Sequence, residues 1–483
     1  MELGKLADAL HFVEESLLRG WHDMKARSLK ASILLHLEGE SENYQQFLKD
    51  SLEIDPLYLS LLYRLDNGEK FMQATGGRME EVLSVAYEFI EFSFWQDAKA
   101  VLNGCNVEHP LKYYALAYAC GKMNALDEAV SWAERAETFS TDLCFPNKTL
   151  ERQILEYAVS ILTNAAKAHY YLGELLYDKR QYDTAIAHWK LAVAQMPEMA
   201  AAHRNLSIAY YNHANRALAA QEIAEACRLE PDNSRFLLEQ DQLLKRLDAP
   251  IRERLAHLEA HESLLSQRYA LMLAYVSLLN ADGQYAKALY LMTHYTFHIW
   301  EGGEGKVADE YKIALFALAE KALSEGKPQE AIAYAERTLV YPVNLGEGKL
   351  DNVPDNHAHY LMGEAYRALG DEATAKVFFE KATLGAQEPE PVRYYNDQPS
   401  DYIYWQGLAF HALGHDEQAK KSFHQLISFG DRHIFDHVEY DFFAVSMPEL
   451  EVYQDDLQKR SDDYCRRMTA LGHKGLQKIQ END

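Results

Sequence analysis

Two short stretches of the sequence combine residue types that bind polar ligands. Residues 303–306 and 346–349 both read Gly-Glu-Gly-Lys, and a third stretch, residues 394–401, adds an amide and a carboxylate beside tyrosines. Carboxylates, amides, ammonium groups and aromatic faces together suit a sugar or a peptide, because each can orient one polar or flat part of the ligand. We therefore predict a composite ligand pocket with these members: Trp300, Glu301, Glu304, Lys306, Glu347, Lys349, Asn396 and Asp397.

A structural interpretation of the same loops is equally open. Glycines permit tight turns, and the glutamates and lysines would then bridge neighbouring elements instead of binding a ligand. Each loop also leads into a predicted helix, whose free amides and positive dipole end attract an anion. The loops are not phosphate-binding P-loops, because Val307 and Leu350 follow the lysines where that motif has Ser or Thr. We expect a positive φ angle at Gly305 or Gly348.

Histidine spacing suggests two places for a metal ion, but the default interpretation is hydrogen-bonded side chains. His257 and His261 are four residues apart, as are His433 and His437, which have Asp436, Glu439 and Asp441 close by. The order HExxH does not occur, so no metalloprotease motif exists. No serine, cysteine or kinase signature occurs either. We therefore predict no catalytic residue, no metal site and no cofactor.

The elements that must position these loops are set by an internal repeat. Residues 168–199 and 202–233 superpose at a shift of 34, with apolar residues at helical spacing and a proline closing each unit. The matched pairs are Leu172 and Leu206, Ala185 and Ala219, Ala192 and Ala226, and Pro197 and Pro231. This pattern is typical of a tetratricopeptide helix pair, in which alanines sit where two helices cross closely.

The repeat length changes toward the C-terminus. Second-helix alanines recur at Ala98, Ala129, Ala185 and Ala219, and then at Ala288, Ala331, Ala375 and Ala419. The last four are 43 or 44 residues apart, so the additional residues must lie in the connections between pairs. The sequence predicts an all-α, tetratricopeptide-type right-handed superhelix, an α-solenoid with inserted loops between the C-terminal repeats.

Three segments of one continuous solenoid are expected. They are degenerate helical repeats over 1–147, clear repeats and a degenerate pair over 148–265, and long-period repeats with a C-terminal capping helix over 266–483. Aligning the repeats places Tyr170, Glu174 and Tyr177, and then Arg204, Ile208 and Tyr211, on the surface of the first helices. In the long-period part, the same alignment gives the candidate ligand residues Tyr360 and Tyr404. A tyrosine-rich, acidic groove suits a peptide or a carbohydrate, and the alternative is that these residues are ordinary packing and solvated surface.

Charge and composition exclude several classes of protein. The 483 residues carry a formal net charge of −26, which argues against a nucleic-acid partner. No stretch is apolar enough to span a membrane, and the N-terminus does not read as a signal peptide, so we expect a cytoplasmic protein. The five cysteines are scattered without a CxxC motif, which indicates reduced packing residues.

From residue 25 onward the chain resembles the C-terminal region of a bacterial protein family. Specific strings carry the resemblance: CFPNKTLERQILEYAV, AHYYLGELLYDKRQYDTAIAHWKLAV, FHIWEGGEGKV, NLGEGKL, YYNDQPSDYIYWQGLA and YDFFAVSMPEL. In that family a galactose-mutarotase-like β-sandwich of unknown function precedes a tetratricopeptide region. This sequence departs from the family at Ile299, where proline is usual, and contains no counterpart of the sandwich. The chain is therefore either a piece of a longer protein or a stand-alone relative.

Two functions follow as hypotheses. The first is a non-catalytic scaffold that binds a protein or peptide, and the resemblance implies the mutarotase-like β-sandwich as partner and a link to bacterial carbohydrate metabolism. The alternative is a carbohydrate-binding or carbohydrate-active protein that uses the acidic and aromatic residues of the inserted loops.

Overall fold

The computed structural model describes residues 5–65, 68–213, 215–299, 303–392, 397–439, 452–453 and 456–482. These residues form 26 α-helices and one 3-10 helix, and no strand occurs among them. The all-α prediction is confirmed, and successive helices form the antiparallel pairs of an α-solenoid. Among the described helices, none is both long enough and apolar enough to cross a membrane.

The chain forms two compact units, Met1–Ala209 and Tyr210–Asp483. The first unit contains these helices: α1 (Leu6–Arg19), α2 (Met24–Glu38), α3 (Glu42–Ile54), α4 (Leu59–Leu65), α5 (Glu69–Thr75), α6 (Met79–Glu91), α7 (Trp95–Gly104), α8 (Pro110–Lys122), α9 (Leu126–Ala136), α10 (Thr149–Ile161), α11 (Ala166–Asp178) and α12 (Tyr182–Gln195). Helix α13 (Ala200–Asn212) contains the border between the units.

The second unit continues with the following helices: α14 (Arg216–Leu229), α15 (Ser234–Arg246), α16 (Ile251–Glu259), α17 (Glu262–Leu265), α18 (Tyr269–Ala281), α19 (Tyr285–His294), α20 (Lys306–Ser324), α21 (Pro328–Arg337), the 3-10 helix η1 (Val343–Leu345), α22 (Asn356–Ala368), α23 (Glu372–Ala382), α24 (Tyr402–Ala412), α25 (Asp416–His433) and α26 (Leu457–Asn482). The inserted residues lie at 295–305, 338–355 and 383–401, between one pair and the next, as the long period predicts.

Small residues allow the two helices of a pair to approach closely. All eight diagnostic alanines are buried: Ala98, Ala129, Ala185, Ala219, Ala288, Ala331, Ala375 and Ala419. Glycines of first helices leave room for an aromatic ring of the second. A methyl group at Gly363 would lie 2.6 Å from the Phe379 ring, and one at Gly407 would lie 2.5 Å from the Phe423 ring. This contact explains why both pairs recur 44 residues apart.

The cysteines are packing residues, as expected. Cys105, Cys120, Cys144 and Cys465 are buried, Cys227 is half-buried, and all five are free thiols. Burial raises the pKa of Cys144 and of Cys227 to about 12, so both thiols stay protonated near neutral pH.

Candidate functional site

The two Gly-Glu-Gly-Lys loops contact each other, because the second loop caps the helix that follows the first loop. Gly305 precedes α20 with a φ of 76°. The Glu347 carboxylate accepts a hydrogen bond from the Gly305 amide at 2.9 Å and from the Ala308 amide at 3.0 Å. The predicted anion at this helix N-terminus is therefore a side chain of the protein itself. Such a carboxylate satisfies amides that the helix leaves free and interacts favourably with its dipole.

The polar residues of the second loop also have partners inside the chain. Lys349 Nζ donates to both carboxylate oxygens of Asp355 at 2.6 and 2.7 Å. Asn344 Nδ2 donates to the carbonyls of Met292 and Tyr295, both at 2.8 Å, and so terminates α19. These contacts support the structural interpretation of the second loop, because Glu347 and Asn344 each satisfy a helix end and Lys349 is paired with Asp355.

The remaining candidate residues differ in their burial. Glu304 is half-buried, Lys306 begins α20 and is exposed, and Asp397 is half-buried. Tyr360 and Tyr404 are only 7% and 3% exposed and belong to the hydrophobic core, because the packed side of each first helix includes these positions. Three further candidates lie outside the described residues: Trp300, Glu301 and Asn396.

The backbone angle φ of the glycine between Glu and Lys differs between the two loops. Gly305 confirms that at least one of the two glycines has a positive φ, whereas Gly348 has no such angle and Gly346 has one of 81°. Nothing lies within 4 Å of a methyl group added at either Gly305 or Gly348. Only the backbone conformation therefore distinguishes the two substitutions.

We expect Gly305→Ala to lower the free energy of unfolding by about 1 kcal/mol, because a left-handed conformation costs an L-residue about 1–2 kcal/mol. Gly348→Ala should raise it by up to about 1 kcal/mol, because alanine restricts the unfolded chain. Urea unfolding of both variants checks the pair, and equal stabilities would contradict the prediction.

The histidine pairs have ordinary hydrogen-bond partners. His257 Nε2 lies 2.9 Å from Gln240 Oε1, and His261 Nδ1 lies 3.0 Å from the His257 carbonyl oxygen. His433 Nδ1 lies 2.7 Å from an Asp436 oxygen, and His437 Nε2 lies 3.0 Å from a Glu439 oxygen. Asp441 lies outside the described residues. In the described ranges, no group of three or more His, Cys, Asp or Glu residues could hold a metal ion.

The predicted groove positions in the first unit include one unusual carboxyl group. The Tyr170 hydroxyl donates to Glu174 Oε1 at 2.7 Å. Burial raises the pKa of Glu174 to about 7, against the opposing effects of that hydrogen bond and of the Arg204 charge. Glu174 therefore changes charge near neutral pH.

A stack of three rings crosses three first helices of the second unit. The His357 ring of α22 lies 3.5 Å from that of Trp405 in α24 and 3.9 Å from that of Phe316 in α20, between ring centroids. His357 Nε2 lies 3.2 Å from a Glu320 oxygen. Burial lowers the pKa of His357, so its imidazole is neutral at pH 7 and donates to the Glu320 carboxylate. The repeat alignment predicts other residues of α22 and α24 as ligand contacts and does not include these three rings.

A different surface of the second unit binds a segment of this chain much as a peptide ligand would be bound. We name it the Tyr453 site and define it by Tyr211 and Asn212 at the end of α13 and Arg246 at the end of α15. Asn212 Nδ2 donates to the Val452 carbonyl at 3.4 Å, across 240 residues of sequence. Arg246 Nη2 donates to the Tyr453 carbonyl at 3.3 Å.

The Tyr453 side chain fills the apolar part of this site. It is only 1% exposed, and its ring meets the Tyr211 ring edge to face at a centroid distance of 5.4 Å. The Arg246 guanidinium lies 5.9 Å from the centre of the Tyr453 ring, within the range of a cation–π contact. The site thus contacts both the main chain and one aromatic side chain of the bound segment.

Sequence reasoning identified only part of this site. Repeat alignment placed Tyr211 on a groove surface, but Asn212 and Arg246 lay among many polar residues of α13 and α15. The stretch DHVEYDFFAVSMPELEVY entered the sequence-based interpretation only through YDFFAVSMPEL, one of the strings of the family resemblance. Its density of aromatic and apolar residues outside a regular pattern was the available signal.

Comparison with known proteins agrees with the repeats. Residues 357–384 and 401–428 each match a tetratricopeptide repeat model, and they coincide with the pairs α22–α23 and α24–α25. Similar solved structures include YrrB, described as a TPR protein with an unusual peptide-binding site, at 16% identity, 46% of this chain, 93% of that chain and a TM-score of 0.18.

Two further structures are similar at the same level. The C-terminal part of a TPR repeat-containing protein from Cytophaga hutchinsonii has 14% identity, covers 62% of this chain and 92% of that chain, and gives a TM-score of 0.28. PilW, a type IV pilus biogenesis factor, has 15% identity, covers 46% of this chain and 93% of that chain, and gives 0.25. Scores this low carry no argument about function. The matched segments show that the C-terminal region of this chain contains tetratricopeptide repeats.

Proposed function

We propose that this protein is an interaction scaffold that binds an extended peptide segment of a partner protein at the Tyr453 site. The supporting observation is the binding of Val452 and Tyr453 by Tyr211, Asn212 and Arg246. Donors aimed at main-chain carbonyls hold any extended peptide, whereas the place for one aromatic ring selects among sequences. A peptide therefore fits this site better than a sugar, because a sugar lacks the successive main-chain carbonyls that the two donors contact.

The relative magnitudes of these contacts identify the residue that contributes most to peptide binding. A hydrogen bond contributes about 0.5–1.5 kcal/mol and a cation–π contact about 0.5–2 kcal/mol. Full burial of a large side chain adds about 1.5–3 kcal/mol. Arg246 takes part in two of these contacts, so it is the residue whose loss should weaken peptide binding most.

The test uses the chain's own segment as the ligand. We expect the Tyr453→Ala protein to bind a fluorescent peptide of residues 448–457, measured by anisotropy, because its site has lost the ring that fills it. Adding Arg246→Ala should weaken binding by about tenfold or more, which corresponds to at least 1.4 kcal/mol.

The matched control is the same peptide with alanine in place of Tyr453, which should not bind. Circular dichroism checks that each protein variant remains helical. If the Tyr453→Ala protein binds both peptides equally, or neither of them, the proposal is wrong.

Two narrower proposals rest on the family resemblance of the strings quoted above. One is that the partner is a mutarotase-like β-sandwich domain, and that the scaffold serves bacterial carbohydrate metabolism. The other is that the inserted loops bind a carbohydrate, and Glu304, Lys306 and Asp397 are its candidate ligands among the described residues. Titration of the protein with a purified β-sandwich domain and with oligosaccharides tests both.

A further inference from the structure

We infer that the Tyr453 site is closed by the chain itself, and that a partner peptide binds by displacing Val452 and Tyr453. This inference rests on the proposed function and adds to it a form of regulation. It also defines the partner segment chemically: an extended stretch with an aromatic side chain, whose main-chain carbonyls replace those of Val452 and Tyr453.

Occupancy is the first observation behind this inference. Tyr453 is 1% exposed, so its side chain occupies the space that an incoming aromatic ring would need. The donors Asn212 and Arg246 are directed at the carbonyls of Val452 and Tyr453. A second peptide cannot use the same ring position and the same donors while this segment remains bound.

The second observation is how the segment is attached. Gln458 Nε2 donates to the Asp436 carbonyl at 2.9 Å, and Gln458 Oε1 accepts from the Val438 amide at 3.2 Å. These bonds join the start of α26 to the chain just after α25. Lys459 Nζ also lies 3.7 Å from Asp248 Oδ1, close to the end of α15. The start of α26 is therefore joined both to the chain just after α25 and to the chain just after α15, the helix that carries Arg246 of the Tyr453 site.

Because of this attachment, Val452 and Tyr453 compete strongly with a partner peptide for the Tyr453 site but can still be displaced from it. A segment tethered by a short stretch of chain has an effective concentration on the order of millimolar, far above that of a free peptide. Val452 and Tyr453 are outside any helix, so their departure breaks no backbone hydrogen bond of α25 or α26. The apparent affinity for a partner is reduced by the fraction of molecules whose site is open.

The experiment titrates the fluorescent peptide of residues 448–457 into the full chain and into its Tyr453→Ala variant. We expect the unsubstituted protein to bind about tenfold more weakly or worse, because a site open in a tenth of molecules loses that factor. Tyr290→Ala is the matched control, because Tyr290 is an exposed tyrosine of the same unit. Its affinity should equal that of the unsubstituted protein.

A second variant tests the attachment. Gln458→Ala removes both bonds between α26 and the end of α25, which lowers the effective concentration of Tyr453. We expect its peptide affinity to lie between those of the unsubstituted protein and Tyr453→Ala. Equal affinity of the unsubstituted protein and Tyr453→Ala would overturn self-closure and leave peptide binding intact. Failure of every variant to bind would overturn the proposed function and this inference with it.

Discussion

Asp241→Asn is expected to lower the free energy of unfolding of the second unit by about 3–5 kcal/mol, the largest single effect that the structure predicts. Arg254 Nε and Nη2 donate to the two Asp241 oxygens at 2.9 and 2.8 Å. The two side chains are only 10% and 2% exposed, for Arg254 and Asp241 respectively. Asparagine would leave the arginine charge buried and unpaired, and would turn an amide donor toward a guanidinium donor.

Two comparisons test the physical reason. Asp241→Leu combined with Arg254→Met should recover most of the loss, because removing both charges also removes the cost of burying them. Glu259→Gln is the matched control, since Glu259 pairs with Lys287 at 2.8 Å but both side chains are nearly half exposed. That exposed pair should contribute less than about 1 kcal/mol. Urea unfolding measures all three variants, and a loss below 1 kcal/mol for Asp241→Asn would contradict the prediction.

His169 should contribute a loss of about 2 kcal/mol to the stability of the first unit between pH 7 and pH 5, and Glu174 opposes this loss over the same range. His169 Nδ1 of α11 lies 2.8 Å from His188 Nδ1 of α12, and His169 is buried. Burial, followed by the charge of His188, lowers the pKa of His169 to about 4 from its ordinary value of 6.5. As pH falls below 6.5, the unfolded chain therefore takes up a proton that the folded chain does not. The contribution of His169 to stability is complete above this window and declines between pH 6.5 and 4.

The pH dependence can be assigned by substitution. His169→Leu combined with His188→Leu replaces both partners by apolar side chains. Relative to its stability at pH 7, the double variant should therefore be about 2 kcal/mol more stable at pH 5 than the parent protein is. His22→Gln changes an exposed histidine of the same unit and should retain the parental difference. Glu156 and Arg152 of α10 act on His188 with opposite sign, and both remain in all variants. An unchanged slope in the double variant would show that another group is responsible.

Much of the fold was predictable because helix packing repeats locally. Alanines, glycines and aromatic residues recur at fixed spacing, because every helix pair packs a small residue of one helix against a large residue of the other. The buried alanines and the Gly407–Phe423 contact confirm that reading. Helix limits also follow local signals: the sequence predicts helices over 148–161 and 234–246, and the structure has them at Thr149–Ile161 and Ser234–Arg246.

The sequence by itself determined that this chain is an all-α repeat protein with inserted connections in its C-terminal part. Only the tertiary structure decided what the polar residues do. Glu347 closes a helix that begins about 40 residues earlier, Arg254 neutralises Asp241, and Asn212 contacts the Val452 carbonyl 240 residues away. The physical reason is that apolar periodicity acts over a few residues, whereas a charge or a donor is satisfied by whichever acceptor the packing of helices brings within hydrogen-bond distance.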